Sequence, residues 1–179
     1  MTMMTAADIE TVFNTQFQQT ENTVLRGGAS EPIYYPCSDD EPMAQIMYRL
    51  DYVSSALHEV AHWCLAGEQR RTLMDYGYWY EDDERNEQQQ REFFQVEVKP
   101  QALEAIFSDA IHLSFDVSVD NVNAVNETEL TLFRQRVLQQ KERYQQELPE
   151  RAQQFNVALL TAYASPYDVN AQRENRVRS

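Results

Sequence analysis

The chain is poor in cysteine, in positive charge and in long apolar runs. Two cysteines in 179 residues, Cys37 and Cys64, do not make a disulfide framework. Fifteen Lys and Arg against 29 Asp and Glu leave a formal charge of −14, so the basic footprint of a nucleic-acid binder is missing. No apolar stretch approaches the length needed to cross a bilayer. Met1 to Thr5 lacks the positive region and apolar core of a secretory signal. The expectation is a soluble cytoplasmic protein with no nucleic-acid or membrane partner. What is present suffices for a core: 42% of the residues are hydrophobic and 11% are aromatic. The length fits one domain, residues 1–179, with an ordered core over about residues 5–164 and a polar tail over 165–179. Strong negative charge suits a cationic substrate or a basic partner surface, and it also simply keeps a protein soluble.

Histidine is scarce too, and its placement is informative. Two of the three histidines stand in His58-Glu59-Val60-Ala61-His62, the pattern H-E-x-x-H. On a helix, positions i and i+4 share a face, and two imidazoles there can close on one metal. Glu59 falls about 100° round the helix from His58, where it can reach a metal-bound water. The flanks are Ala56, Leu57, Val60, Ala61, Trp63, Cys64, Leu65 and Ala66, apolar nearly all round, as in a helix inside a domain. Ser54 or Ser55 is expected to cap this helix and Gly67 to end it in a left-handed conformation. Buried ionisable groups need partners, and a metal ion supplies one.

Elsewhere, Thr5 and Asp8 resemble a capping box ahead of a helical stripe of Ile9, Val12, Phe13 and Phe17. Residues 22–45, with Gly27-Gly28 and three prolines, read as extended or looped, and Ile46 to Leu50 as a short strand. Leu73 to Tyr80 favours a strand or aromatic wall, followed by an acidic turn at Glu81-Asp82-Asp83-Glu84. A helix is expected from Asn86, kinked or restarted at Pro100 and continued by Leu103, Ile106, Phe107 and Ala110. Leu113 to Val119 is strand or loop. Asn126 with Glu129 begins another helix, and Pro149 a last one faced by Phe155, Leu159 and Tyr163. The sum is a helix-rich α+β domain with a small sheet and a metalloprotease-like H-E-x-x-H metal helix.

A catalytic metal takes three protein ligands and keeps a position open. His112 is expected at a helix end, exposed or satisfied locally. Cys64, two residues past His62, points to another face. Glu97, flanked by Val96 and Val98 on a second helix, is the expected third ligand. The other reading of Glu97 is a buried carboxylate paired with Lys99 or an arginine. Glu92 and Glu104 stand in more polar surroundings and read as exposed.

Several segments in order resemble the elongation factor P hydroxylase family of gamma-proteobacteria. They are Glu31-Pro32-Ile33-Tyr34, the block from Ser55 to Gly67, Asp75-Tyr76-Gly77-Tyr78-Trp79-Tyr80, Val96 to Leu103, Phe115-Asp116-Val117-Ser118 and Pro149-Glu150-Arg151. The resemblance covers about residues 9–164. It implies a non-haem metal hydroxylase acting on a lysine of elongation factor P that already carries a β-lysyl group. The family's two-histidine, one-carboxylate set maps onto His58, His62 and Glu97, a set that in ferrous oxygenases leaves positions open. Iron(II) and dioxygen are then the expected cofactor and co-substrate; the residues give no sign for or against 2-oxoglutarate. Glu59 would hold a metal water or orient a ligand. Tyr78, Trp79 and Tyr80 could wall the entrance while Asp75, Asp82 and Asp83 attract substrate ammonium groups, or the same residues are an aromatic core strand and a solvated acidic turn. Two other functions fit H-E-x-x-H: a zinc peptidase with Glu59 as general base, and a metal-stabilised interaction protein.

Overall fold

The computed structural model describes residues 3–77, 87–119 and 126–164. A first helix, α1 (Ala6–Phe17), starts at Thr5, whose Oγ1 accepts from the Asp8 N–H while Asp8 Oδ2 accepts from the Thr5 N–H. This is the expected capping box. Three strands follow: β1 (Thr23–Ala29), β2 (Ile33–Tyr35) and β3 (Ala44–Arg49). They pair in the order β1-β3-β2, with β1 parallel to β3 (Leu25 beside Ile46) and β2 antiparallel (Tyr34 beside Ile46). Gly27 is required by close approach, because a Cβ there would lie 2.6 Å from the Tyr48 ring and 2.8 Å from the Leu50 carbonyl oxygen.

The central strand feeds helix α2 (Val53–Leu65), which carries the H-E-x-x-H residues. Its ends differ from expectation. The N-cap is Tyr52 and no side chain caps it; Ser55 Oγ instead accepts the Arg49 N–H, fastening the helix to the end of β3. Gly67 is not left-handed, and Ala66 leaves the helix in an extended conformation (φ −67°, ψ 120°). A distant cation does the closing. Arg151 Nη2, sharing its two protons, donates to the carbonyls of Trp63 (3.0 Å), Cys64 (3.2 Å) and Ala66, and the guanidinium lies 4.6 Å from the Trp63 ring centroid. Those are the orphan carbonyls at the negative end of the helix dipole, so a positive donor there removes the need for a glycine turn.

Leu73 to Gly77 also depart from the strand reading, while Tyr78 to Tyr80 lie outside the described residues. Residues 70–77 form two 3₁₀ turns, Arg70–Thr72 and Met74–Gly77, and Asp75 (φ 46°) and Tyr76 (φ 56°) are left-handed, which no strand allows. The aromatic character is used differently: Tyr76 stacks on Tyr34 with centroids 4.3 Å apart. The acidic turn at 81–84 and the tail from 165 lie outside the described residues.

Helix α3 (Glu87–Ala110) keeps Pro100 in its interior without a restart, at the cost of a hydrogen bond to the Val96 carbonyl. Residues 113–119 form a loop. Helix α4 (Glu127–Gln146) is capped by Asn126, which accepts the Thr128 N–H, and α5 (Glu150–Ala164) follows Pro149 as expected. The main core gathers Phe13, Phe17, Trp63, Phe107 and Phe155 from four helices, and Trp63 sits 5.0 Å from Phe13 and 4.9 Å from Phe17. A second, smaller core of Phe93, Phe94 and Ala102 from α3 and Phe133 and Val137 from α4 joins those two helices. No helix of the described residues is long and apolar enough to cross a membrane.

Candidate metal centre

The site is built by two helices. Helix α2 contributes His58, Glu59 and His62; α3 contributes Glu97, Gln101 and Glu104. The last three are spaced i, i+4, i+7, so they share one face of α3. His58 Nε2 lies 3.1 Å from His62 Nε2 and 3.5 Å from Glu97 Oε2, and His62 Nε2 lies 3.1 Å from Glu97 Oε1.

These separations can be tested against a metal. Donors about 2.0–2.2 Å from one ion lie roughly 3.3–3.6 Å apart if tetrahedral and roughly 2.8–3.1 Å apart if octahedral neighbours. The three observed separations fall across that span, the two to Glu97 being made by its two different carboxylate oxygens. The donor types, two imidazole nitrogens and a carboxylate, suit a divalent ion. Among the described residues these three could hold a metal together. Glu97 is 3% exposed, whereas the histidine side chains keep 23% and 13% of their surface. The centre therefore opens on the histidine side and is closed behind the carboxylate.

Electrostatics couples the group. Burial raises the Glu97 carboxyl, but His62 and His58 outweigh it and bring it to about 2. Burial opposes charge on His58, but Glu97 and Glu104 outweigh that and push it up to about 10. Glu59, partly buried, is raised by burial. Behind the donors, Gln101 Nε2 donates to Glu97 Oε2 (3.3 Å) and to the Ser118 carbonyl (2.9 Å), while Gln101 Oε1 accepts the Ser118 N–H (3.0 Å). On the other side, His58 Nδ1 donates to Glu104 Oε2 at 2.8 Å. Glu104 is 6% exposed, so its reading as surface is corrected. Its local neighbours misled; counting helical turns from Glu97 would have found it and Gln101.

The remaining expected residues are placed as follows. Asp75 is partly buried and its Oδ1 accepts the Tyr34 N–H at 2.7 Å, while burial raises its carboxyl and the charge of His62 opposes that. Trp79, Asp82 and Asp83 lie outside the described residues. His112 is exposed, left-handed (φ 55°) and packed on Tyr163, away from the centre. Cys64 is buried in the main core. Glu97 pairs with the histidines, and neither Lys99 nor an arginine is its partner among the described residues.

A helix-rich α+β fold with a small three-stranded sheet thus presents two histidines and a carboxylate that could take a metal. Residues 12–174 match the family described as elongation factor P hydroxylase, and the chain belongs to that family. It is 44% identical over 164 residues to the elongation factor P lysine hydroxylase of Haemophilus influenzae, an alignment covering 91% of this chain and 92% of that protein. Neither comparison supports the peptidase alternative.

Proposed function

We propose that the protein hydroxylates a lysine of elongation factor P, using a ferrous ion held by His58, His62 and Glu97 and dioxygen as co-substrate. The observation that carries this reading is the convergence of two Nε2 atoms and a carboxylate at 3.1–3.5 Å, on a chain of the hydroxylase family. Bound iron would supply the redox chemistry that oxygen insertion at an unactivated carbon needs and that zinc does not offer.

The protein's own residues supply the rest. Glu97 brings its negative charge from the closed side, leaving the more exposed histidine side for the substrate. Glu59 lies beside both histidines electrostatically; with its carboxyl raised by burial, it can hold a proton near a reacting ligand. The substrate is taken to be the β-lysylated lysine, whose ammonium groups match an acidic chain. Asp75, with Trp79, Asp82 and Asp83, is proposed to receive that arm. Elongation factor P is the partner on this reading, and the cytoplasm the place of action.

The test is the intact mass of lysylated elongation factor P after incubation with enzyme, ferrous iron and oxygen, with and without 2-oxoglutarate. A gain of one oxygen atom that disappears anaerobically is expected. Cleavage of the acceptor, or an oxygen-independent reaction, would overturn the proposal.

A further inference from the structure

We infer that Glu104 is a positioning residue for the metal centre, holding His58 in the one tautomer and ring orientation that aims Nε2 at the ion. This rests on reading His58, His62 and Glu97 as the ligands, and it goes beyond that reading by assigning a fourth residue that touches no metal.

The argument begins with proton bookkeeping. A carboxylate can only accept, so the 2.8 Å contact to Glu104 Oε2 places the proton on His58 Nδ1. In the neutral ring, the form that binds a metal, Nε2 then carries the lone pair, and Nε2 is the atom that faces His62 Nε2 and Glu97. Without such a partner a neutral imidazole exchanges its proton between the two nitrogens, and one of the two forms points N–H, not a lone pair, at the ion.

Burial makes the contact specific. Glu104 is 6% exposed, and His58 is its ion-pair partner among the described residues. A buried carboxylate is costly unless paired, so this side chain is held where it is by the imidazole it serves. Its backbone support is equally fixed: Ala102, Leu103, Ala105 and Phe107 around it are fully or almost fully buried. The chain spacing completes the picture. Glu104 follows Glu97 by seven residues, about two helical turns on the same face. One helix thereby delivers the third ligand to the near side of His58 and the orienting acceptor to the far side.

Cobalt(II) is the probe, because its visible bands report ligand geometry and its affinity is measured by chelator competition without any turnover. Wild type, His62→Ala, Glu104→Gln and Glu104→Ala are compared, with circular dichroism as the check on folding. Glu104→Ala is expected to weaken cobalt binding about 10–100-fold and to shift the bands. Glu104→Gln keeps an amide oxygen that can accept from Nδ1–H, so it should stay within a few-fold of wild type with wild-type bands. Glu104→Ala that binds within about twofold of wild type, with unchanged bands, overturns the proposal; so does Glu104→Gln as weak as Glu104→Ala, which would assign the effect to charge and not to orientation. If Glu104→Ala does not fold, Glu104→Asp, too short to reach Nδ1, takes its place with the same expected loss. A wild type that binds no cobalt, or a His62→Ala that binds as wild type does, instead removes the metal reading itself.

Discussion

Arg151 on α5 closes the helix that carries both histidines, and its removal tests how the fold holds that helix. Arg151→Met keeps the aliphatic stem and removes the charge and the donors. Three carbonyls, those of Trp63, Cys64 and Ala66, then lose a cationic partner. A hydrogen bond to a charged group contributes about 1.5–3 kcal/mol, but all three carbonyls share the two protons of Arg151 Nη2, so the three do not add in full. The contact over Trp63 adds about 0.5–2 kcal/mol. The expected loss is about 3–5 kcal/mol out of a total stability of about 5–15. For a chain this size that lowers Tm by roughly 6–20 °C. Thermal and urea unfolding followed by circular dichroism measure it. Because the acceptors are helix carbonyls and not carboxylates, the loss should persist in high salt. A variant within about 1 kcal/mol of wild type would refute the reasoning and return the closure of α2 to local backbone preference.

Three further outcomes are expected. In chelator, the metal-free protein should be steadied by the His58–Glu97 pair most fully between the ordinary values 4.5 and 6.5: the Glu97 share is lost as pH falls towards about 2, and the His58 share as pH rises through about 10. Glu59, raised by burial, works the other way and blunts the acid loss; urea midpoints against pH would show a flat profile if the pair contributes nothing. Gly27→Ala drives a methyl into Tyr48 and the Leu50 carbonyl and should cost about 1–3 kcal/mol, with an unchanged urea midpoint counting against that packing. Glu59→Gln should lower hydroxylation about 10–100-fold, the scale for a group beside the ligands; a loss of several orders of magnitude would make it the main proton carrier.

The centre was readable where function obeys local periodicity. His58 and His62 are four apart on an apolar helix, and Glu97 stands between two valines, so spacing and flanks alone point to these three. Glu104 is not legible from its immediate neighbours; only its distance in helical turns from Glu97 reveals its face. The capping box at Thr5 and the cap at Asn126 are local and were legible. Arg151 was not, since its contact with α2 spans more than eighty residues and no short-range signal announces it. The same long-range cation overrode the glycine stop at Gly67. At Asp75 and Tyr76, aromatic propensity for strand lost to tertiary demands: stacking on Tyr34 and acceptance of its N–H.

The ligands are divided between two cores, and that division makes the centre a gauge of alignment. The histidines ride on α2, anchored through Trp63 in the main core, whereas Glu97 precedes Pro100 in the stretch of α3 whose Phe94 stacks on Phe133 of α4. Pro100 omits one rung of the helical ladder between that stretch and the part of α3 packed into the main core. Erosion of the small core, as by Phe133→Ala, therefore widens the bite between Glu97 and the histidine pair while leaving the pair itself in register. Under denaturant the carboxylate arm should let go first, so that metal release runs ahead of the collapse of α2.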